Sequence, residues 1–184
     1  MTVKDIIKVQ ALLVGRQDVF DYLSGKTENP DTATIKAVDL MVNCVNLILS
    51  ELACTYIPMT TTFTATDSEI VFANLPERIL EIQSVKDKSG REKSYKFTPE
   101  KISGLNEGDV LIYSYLPSNY GLDEKIGYNE TQISNRVLAY AVASEYLLTE
   151  RAFDEAVMWR NRYVNELSDS IKVKNSKIKA RRWY

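Results

Sequence analysis

The chain of 184 residues contains no histidine. Histidine is the commonest general base and metal ligand, so its absence excludes serine–histidine and cysteine–histidine nucleophilic sites. The seven glycines stand apart along the chain and form no phosphate-binding loop. Two cysteines, Cys44 and Cys54, are too few for a structural zinc site. We therefore predict no catalytic residues, no metal and no cofactor, and we expect the protein not to be an enzyme.

One class of enzyme survives this exclusion. Paired carboxylates catalyse hydrolysis without histidine, and the chain holds 25 Asp and Glu residues. The sequence singles out no pair among them, and a solvated acidic surface explains them more simply. A concave pocket with two facing carboxylates would be the sign of this alternative.

Long apolar runs are also missing. No segment approaches the roughly 18 consecutive apolar residues that a membrane span needs. The first ten residues carry charges at Lys4, Asp5 and Lys8, where a signal peptide would be apolar. Cys44 and Cys54 both lie in an apolar stretch with helical spacing, which predicts two buried thiols and no disulfide. We expect a protein made in a reducing cytoplasm, without a membrane partner.

Helical spacing of apolar residues marks the first third of the chain. Thr2 followed by Asp5 is typical of a capping box and predicts a helix from there to about Leu23. A second helix should begin near Asp31 or Thr32 and end at Pro58. Its apolar residues are spaced alternately by three and four, at Ile35, Val38, Val42, Val45, Leu49, Leu52 and Tyr56. A second apolar stripe at Met41, Cys44 and Ile48 lies beside the first, so this helix should be buried on two sides.

The period changes to two after Met59. Short β-branched and aromatic segments between residues 60 and 115 predict about five strands. Asp67-Ser68 separates the first two and predicts a hairpin. Because no helix lies between the strands, the sheet should be mostly antiparallel.

A loop of thirteen residues, 117–129, follows the strands. Loops this long within compact domains are often functional. Tyrosines in loops suit protein interfaces because they offer amphipathic area at a modest entropic cost. Tyr120 and Tyr128 are therefore candidate interface residues.

Two further helices are predicted from about residue 130, with a tight turn favoured over a kink at Thr149–Ala152. The expected apolar face of the last helix holds Phe153, Val157, Val164, Leu167 and Ile171.

The last helix also carries Trp159 and Tyr163 four residues apart, with Arg160 and Arg162 beside them. Such a surface can bind nucleic acid. We favour a bundle seam flanked by solvent-facing arginines.

These patterns predict an α+β fold: a four-helix bundle with an inserted small antiparallel β-domain and an extended basic C-terminal arm. Residues 1–58 would form the first helical pair and 59–129 the β insertion with the long loop. Residues 130–171 would form the second helical pair and 172–184 the arm.

The predicted arm reads KVKNSKIKARRWY and holds six basic residues and no acidic one. The rest of the chain has 17 basic side chains against 25 acidic ones. A basic segment without helical apolar spacing is typical of an interaction arm, although a solvated terminus is the alternative. Trp and Arg are frequent anchors of protein interfaces. The candidate partner-binding residues are Lys177, Lys179, Arg181, Arg182, Trp183 and Tyr184.

The segment at residues 143–167, ASEYLLTERAFDEAVMWRNRYVNEL, resembles the closing helical hairpin of tailed-phage head–tail connector (adaptor) proteins. In that family a short acidic turn with an aromatic residue precedes a helix of the Ala-x-x-Trp type. The opening helices with ELACTYIPMTTTF (51–63) and the insertion with LPERILEIQSVKDKSG (75–90) fit the same plan. The basic end SKIKARRWY is similar to the arms of those proteins, so the resemblance spans nearly the whole chain.

The resemblance implies a structural virion protein at the neck of a phage, assembled in the host cytoplasm. It implies a homo-oligomeric ring, commonly a dodecamer, bound beneath the portal protein and joined below to tail or further connector proteins. The arm would dock onto the portal, and DNA would pass through the ring without specific binding. A tail terminator or a head-closure protein is the nearest alternative. A nucleic-acid-binding module using the basic tail is an alternative of another class.

Overall fold

The computed structural model describes residues 1–175, with side chains as far as residue 170. Within this part the chain is a mixed α+β protein with five α-helices and two small antiparallel sheets, which confirms the predicted class. The helices are α1 (Val3–Leu13), α2 (Gln17–Leu23), α3 (Thr32–Glu51), α4 (Asn135–Thr149) and α5 (Phe153–Asn175). The strands are β1 (Met59–Thr64), β2 (Glu69–Val71), β3 (Arg78–Lys86), β4 (Lys96–Phe97), β5 (Lys101–Ser103) and β6 (Val110–Leu116).

The chain divides into two compact units. The helical unit combines Met1–Ile48 with the chain from Tyr120 onward, and the β unit is the continuous segment Leu49–Asn119. Both ends of the chain therefore contribute to one unit, while the other is inserted between them. The long loop belongs to the helical unit from Tyr120 onward.

The predicted capping box is confirmed at the start of α1. The Thr2 side chain accepts a hydrogen bond from the Asp5 backbone N–H, and the Asp5 carboxylate accepts one from the Thr2 backbone N–H. The prediction of one helix as far as Leu23 was wrong, because the chain breaks between α1 and α2. Gly15 there has a φ of +73°, a left-handed conformation that glycine adopts without steric cost.

A polar network begins at this break. Arg16 donates to both carboxylate oxygens of Asp18, and its Nη1 donates to the Tyr146 hydroxyl of α4 at 2.6 Å. The Thr34 hydroxyl of α3 also donates to Asp18, at 3.0 Å. The Arg16 guanidinium holds the pKa of the Asp18 carboxyl well below its usual range. The network thus links three helices of the helical unit around one ion pair.

Gln10 is a polar residue within the apolar packing of α1. Its side chain is fully buried, and neither amide atom has a hydrogen-bond partner among the described residues. An unpaired buried amide destabilises a fold, because the group has lost its hydrogen bonds to water.

Helix α3 is buried along both predicted stripes. Val38 and Val45 of the first stripe and Met41 and Ile48 of the second are at most 5% exposed. Ile35 departs from the pattern, since 45% of its surface is exposed. Among the described helical segments, Thr32–Tyr56 is the one that is long and apolar enough to cross a membrane. Half of its most apolar stretch of 18 residues is buried within the structure, as in many core helices.

The two cysteines are free, as predicted, but they differ in burial. Cys44 is buried, and burial raises the pKa of its thiol to about 11. Cys54 is exposed, so the prediction of two buried thiols was wrong. It lies in a π-helical turn, Leu52–Tyr56, which follows α3 and no longer keeps the α-helical spacing.

The β unit contains two three-stranded sheets, with strand orders β1-β6-β3 and β2-β5-β4. Every pair of adjacent strands is antiparallel, as predicted. The predicted hairpin at Asp67-Ser68 was wrong, because β1 pairs with β6 and β2 pairs with β5. The dipeptide instead connects two sheets.

The core of the β unit draws on both sheets. Its buried members are Ala65, Ile70, Leu75, Val85, Ile102, Leu105, Leu111 and Tyr113. Beside it, Asp109 is only 2% exposed and accepts hydrogen bonds from Lys93 Nζ at 2.6 Å and from the Asn106 backbone N–H at 2.7 Å. The Lys93 ammonium group lowers the pKa of the Asp109 carboxyl.

This ion pair predicts a defined pH dependence for the β unit. The carboxyl pKa is lower in the folded chain than in the unfolded one, so the pair stabilises the fold above about pH 4 and the benefit is lost as pH falls through the folded pKa. We expect Asp109→Asn to lower the melting temperature at pH 7 and to differ less from wild type at pH 3. Thermal melts of both chains at the two pH values test this, and an equal difference at both would contradict it. Lys93→Met, which removes the other partner, should behave in the same way.

Candidate interaction surfaces

The α4–α5 hairpin is the part of the chain on which the sequence placed most candidates. Ser134 caps α4 by accepting a hydrogen bond from the Val137 backbone N–H. The predicted tight turn is confirmed between Thr149 and Phe153. Arg151 adopts a left-handed φ of 63°, and the Ala152 N–H donates back to the Leu147 carbonyl at 3.0 Å. This turn folds α5 back along α4.

The buried face of α5 differs from the predicted one. Phe153, Val157 and Val164 were expected in the core, yet they are 60%, 57% and 40% exposed. Leu167 is buried as predicted, and Ala156, Trp159 and Tyr163 are buried with it. Both sets follow helical spacing. The face with the two large aromatic rings removes more apolar surface from water, and this is the face that packs.

A cation–aromatic cluster completes the seam between α4 and α5. The Trp159 ring stacks on Tyr140, with centroids 5.3 Å apart. Arg162 lies over both rings, and Arg136 also lies over the Tyr140 ring and donates from Nε to the Tyr140 hydroxyl. Bases stack on exposed ring faces, whereas these rings are buried or covered by arginine. The geometry therefore favours the bundle-seam interpretation of this aromatic-basic segment.

The two loop tyrosines are both removed from solvent to different extents. Tyr128 is 2% exposed. Tyr120 is half-buried, its backbone exchanges two hydrogen bonds with the Asn46 amide, and its hydroxyl accepts one from the Gly127 N–H. Their role at an interface stays a prediction, and the structure shows an anchoring role for Tyr120 that the sequence did not indicate.

The β unit carries an apolar groove that the sequence did not predict. It has a volume of about 390 Å³. Its lining residues are Phe72, Ile79, Leu80, Glu81, Ile82, Tyr95, Phe97 and Pro99. It lies beside β3 and β4, which are outer strands of the two sheets. Phe97 is 61% exposed there, so the groove offers apolar contact area with a single carboxylate.

The shifted pKa values of the described aspartates have structural causes. Five aspartates have shifted pKa values, and each pKa is lowered by hydrogen bonds or by a nearby cation, as at Asp18 and Asp109. A general acid needs the opposite shift. Residues 1–175 also contain no cluster of three or more side chains able to hold a metal ion.

The predicted arm-anchoring residues lie outside the described part of the chain. They are Lys177, Lys179, Arg181, Arg182, Trp183 and Tyr184. Helix α5 continues to Asn175, past the predicted bundle boundary at residue 171.

No protein-family model matches the chain, and no curated protein matches its sequence. The functional interpretation therefore depends on the residues and their geometry.

Proposed function

We propose that the chain is a structural virion protein, a head–tail adaptor that forms a ring beneath the portal of a tailed phage. In this role it joins the capsid to the tail and helps to retain or pass the packaged DNA. The observation that carries the proposal is the plan of the two units, in which both ends of the chain build one helical unit and a β unit is inserted between them. This is the plan that the resemblance to connector proteins implies.

The proposal assigns a task to each part of the chain. Helices α1, α3, α4 and α5 are the four-helix bundle of the ring wall, and α2 is a short addition to it. The β unit faces neighbouring tail or connector proteins, and its apolar groove offers a contact area for them. The basic arm, residues 172–184, docks onto the portal protein; its first four residues belong to the end of α5.

The charge distribution supports this division. Outside residues 172–184 the chain has 17 basic against 25 acidic side chains, so most of its surface repels DNA. Such a surface suits a passage through which DNA moves without specific binding. The arm carries six basic residues and no acidic one, and arginine pairs bidentately with carboxylates on a protein partner.

Truncation of the arm tests the proposal. We expect deletion of residues 180–184, which include Arg181, Arg182 and Trp183, to abolish binding to the portal in a pull-down with purified components. The melting temperature of the body should stay within about two degrees, because the proposal assigns the arm to docking and not to the core. Unchanged portal binding by the truncated chain would contradict the proposal.

The same preparations separate the alternatives. A nucleic-acid-binding module would bind duplex DNA with a steep salt dependence and lose that binding without residues 172–184. A tail terminator or a head-closure protein would bind tail or other neck components in place of the portal. The mass of the complex with the portal, measured by native mass spectrometry, gives the number of subunits in the ring.

A further inference from the structure

The exposed side of α5 carries a continuous face with little charge. We call it the α5 face: Phe153, Val157, Met158, Asn161, Val164 and Asn165. Its four apolar members are between 40% and 60% exposed. At 100° per residue these six positions span less than half of the helix circumference, whereas Glu155, Arg162 and Glu166 lie together outside that span. Asp154, in the first turn, is the one charged residue within the span.

Such a face is costly in water. Four large apolar side chains on one side of a helix form a contiguous patch, and patches of this kind mark interaction sites. The face lacks the lysines and arginines by which helices bind nucleic acid or anionic lipid. A helix of another protein chain is the partner that this composition fits.

The lack of charge on the α5 face suits a second copy as that partner. Residues 1–171 carry 25 acidic side chains against 17 basic ones, so contact between the charged parts of two such bodies is unfavourable. Val157, Met158, Asn161, Val164 and Asn165 of the α5 face carry no charge, so two copies can meet there without that repulsion. A strongly charged partner would gain nothing from this face.

The two asparagines make the face self-complementary. An amide both donates and accepts hydrogen bonds, so Asn161 on one copy can pair with Asn161 on another. A charged side chain at position 161 could not pair with its own copy, because the two like charges would repel each other. Val157 precedes Asn161 by four residues and Val164 follows it by three, each about one helical turn away.

We propose that α5 packs antiparallel against α5 of a second copy, with the two-fold axis at Asn161. This arrangement places Val157 of one copy against Val164 of the partner subunit and brings the two Asn161 amides together. The α5 face from residue 153 to 165 is about 18 Å long. The contact between two faces of this length buries less area than the interface of a stable obligate dimer. The dimer is therefore weak, and its population depends on protein concentration.

The inference concerns the free chain and stands apart from the proposed function. A two-fold contact closes at two copies, whereas a ring needs a head-to-tail contact. A dimer through α5 would therefore exist before ring assembly, and its loss would leave portal binding by the arm intact.

Crosslinking tests the axis directly. Asn161→Cys and, as a matched control, Glu155→Cys are introduced into a Cys54→Ser chain, in which the remaining Cys44 is buried. A short bismaleimide should crosslink the Asn161→Cys chain into dimers and leave the Glu155→Cys chain monomeric. Equal crosslinking of the two variants, or no dimer from Asn161→Cys at high protein concentration, overturns the proposal.

Sedimentation equilibrium gives a second, independent measurement. We expect Val157→Glu to weaken dimerisation by at least tenfold, since it places two carboxylates in the apolar contact. Leu47→Glu on α3 is the matched control, because Leu47 and Val157 are 56% and 57% exposed. The control should dimerise like wild type. A dimer weakened by Leu47→Glu but not by Val157→Glu, or by neither, rules out the α5 face.

Discussion

Replacing Trp159 by alanine should lower the free energy of unfolding by about 3–5 kcal/mol, the usual cost of removing a buried Trp or Phe ring. Trp159 is 9% exposed, stacks on Tyr140 and lies under Arg162. The substitution removes the stack and leaves a cavity between α4 and α5, which surrounding side chains can fill only in part. Chemical denaturation followed by far-UV circular dichroism measures the change.

Val157→Ala is the control for this prediction. Val157 lies on the same helix but is 57% exposed, so its truncation should change the stability by no more than about 0.5 kcal/mol. The stabilities of both variants should be measured at a protein concentration low enough to exclude dimers. If Val157→Ala proved the more damaging change, α5 would bury the opposite face and the arrangement of the hairpin would be wrong.

Gln10→Met should raise the free energy of unfolding by about 1–3 kcal/mol. Both amide atoms of Gln10 are buried without a hydrogen-bond partner among the described residues, and an unsatisfied buried polar group costs about that much. Methionine has a similar length and flexibility, so it can occupy the same space without the amide.

Gln17→Met on the neighbouring helix is the matched control. Gln17 is exposed and donates a hydrogen bond to Asp21 at 3.0 Å, so its replacement should change the stability little. A loss of stability in Gln10→Met would show that the amide has a polar partner, such as a buried water molecule. Thermal melts of the two variants beside wild type are sufficient to decide.

The helices were largely predictable from the sequence because their apolar residues follow the helical period. The period does not choose between two faces that both satisfy it. On α5 it allowed the set at Phe153, Val157 and Val164 as well as the set at Trp159 and Tyr163. The choice depends on which side meets α4, a long-range contact that no local pattern contains.

The strands show the same limit. Their alternation and their antiparallel pairing could be predicted from the sequence. The pairing partners could not, because β1 pairs with β6 across about 50 intervening residues and its nearest neighbour β2 joins the other sheet. The apolar groove beside β3 and β4 results from that pairing, so it too was beyond the sequence pattern.

The candidate sites were only partly accessible from the sequence. The basic segment at 172–184 could be identified from its composition alone. The exposed α5 face could not be identified from the sequence, because its position depends on which side of the helix packs against α4. Tyr128 illustrates the reverse case, since a tyrosine in a long loop is only 2% exposed. Carbonyl groups of this loop accept hydrogen bonds from backbone N–H groups at the start of α1, a long-range contact that the sequence pattern does not contain.

The insertion of the β unit between the two parts of the helical unit has a consequence for biosynthesis. Residues 49–119 form a continuous segment, so the β unit has all of its strands once the ribosome has passed Asn119. Helices α1 and α3 are made first, yet α1 packs against α4, which is synthesised about 120 residues later. The earliest helices therefore wait with their apolar faces uncovered while the middle of the chain folds, and chains stalled before α4 should be the ones that aggregate or bind chaperones.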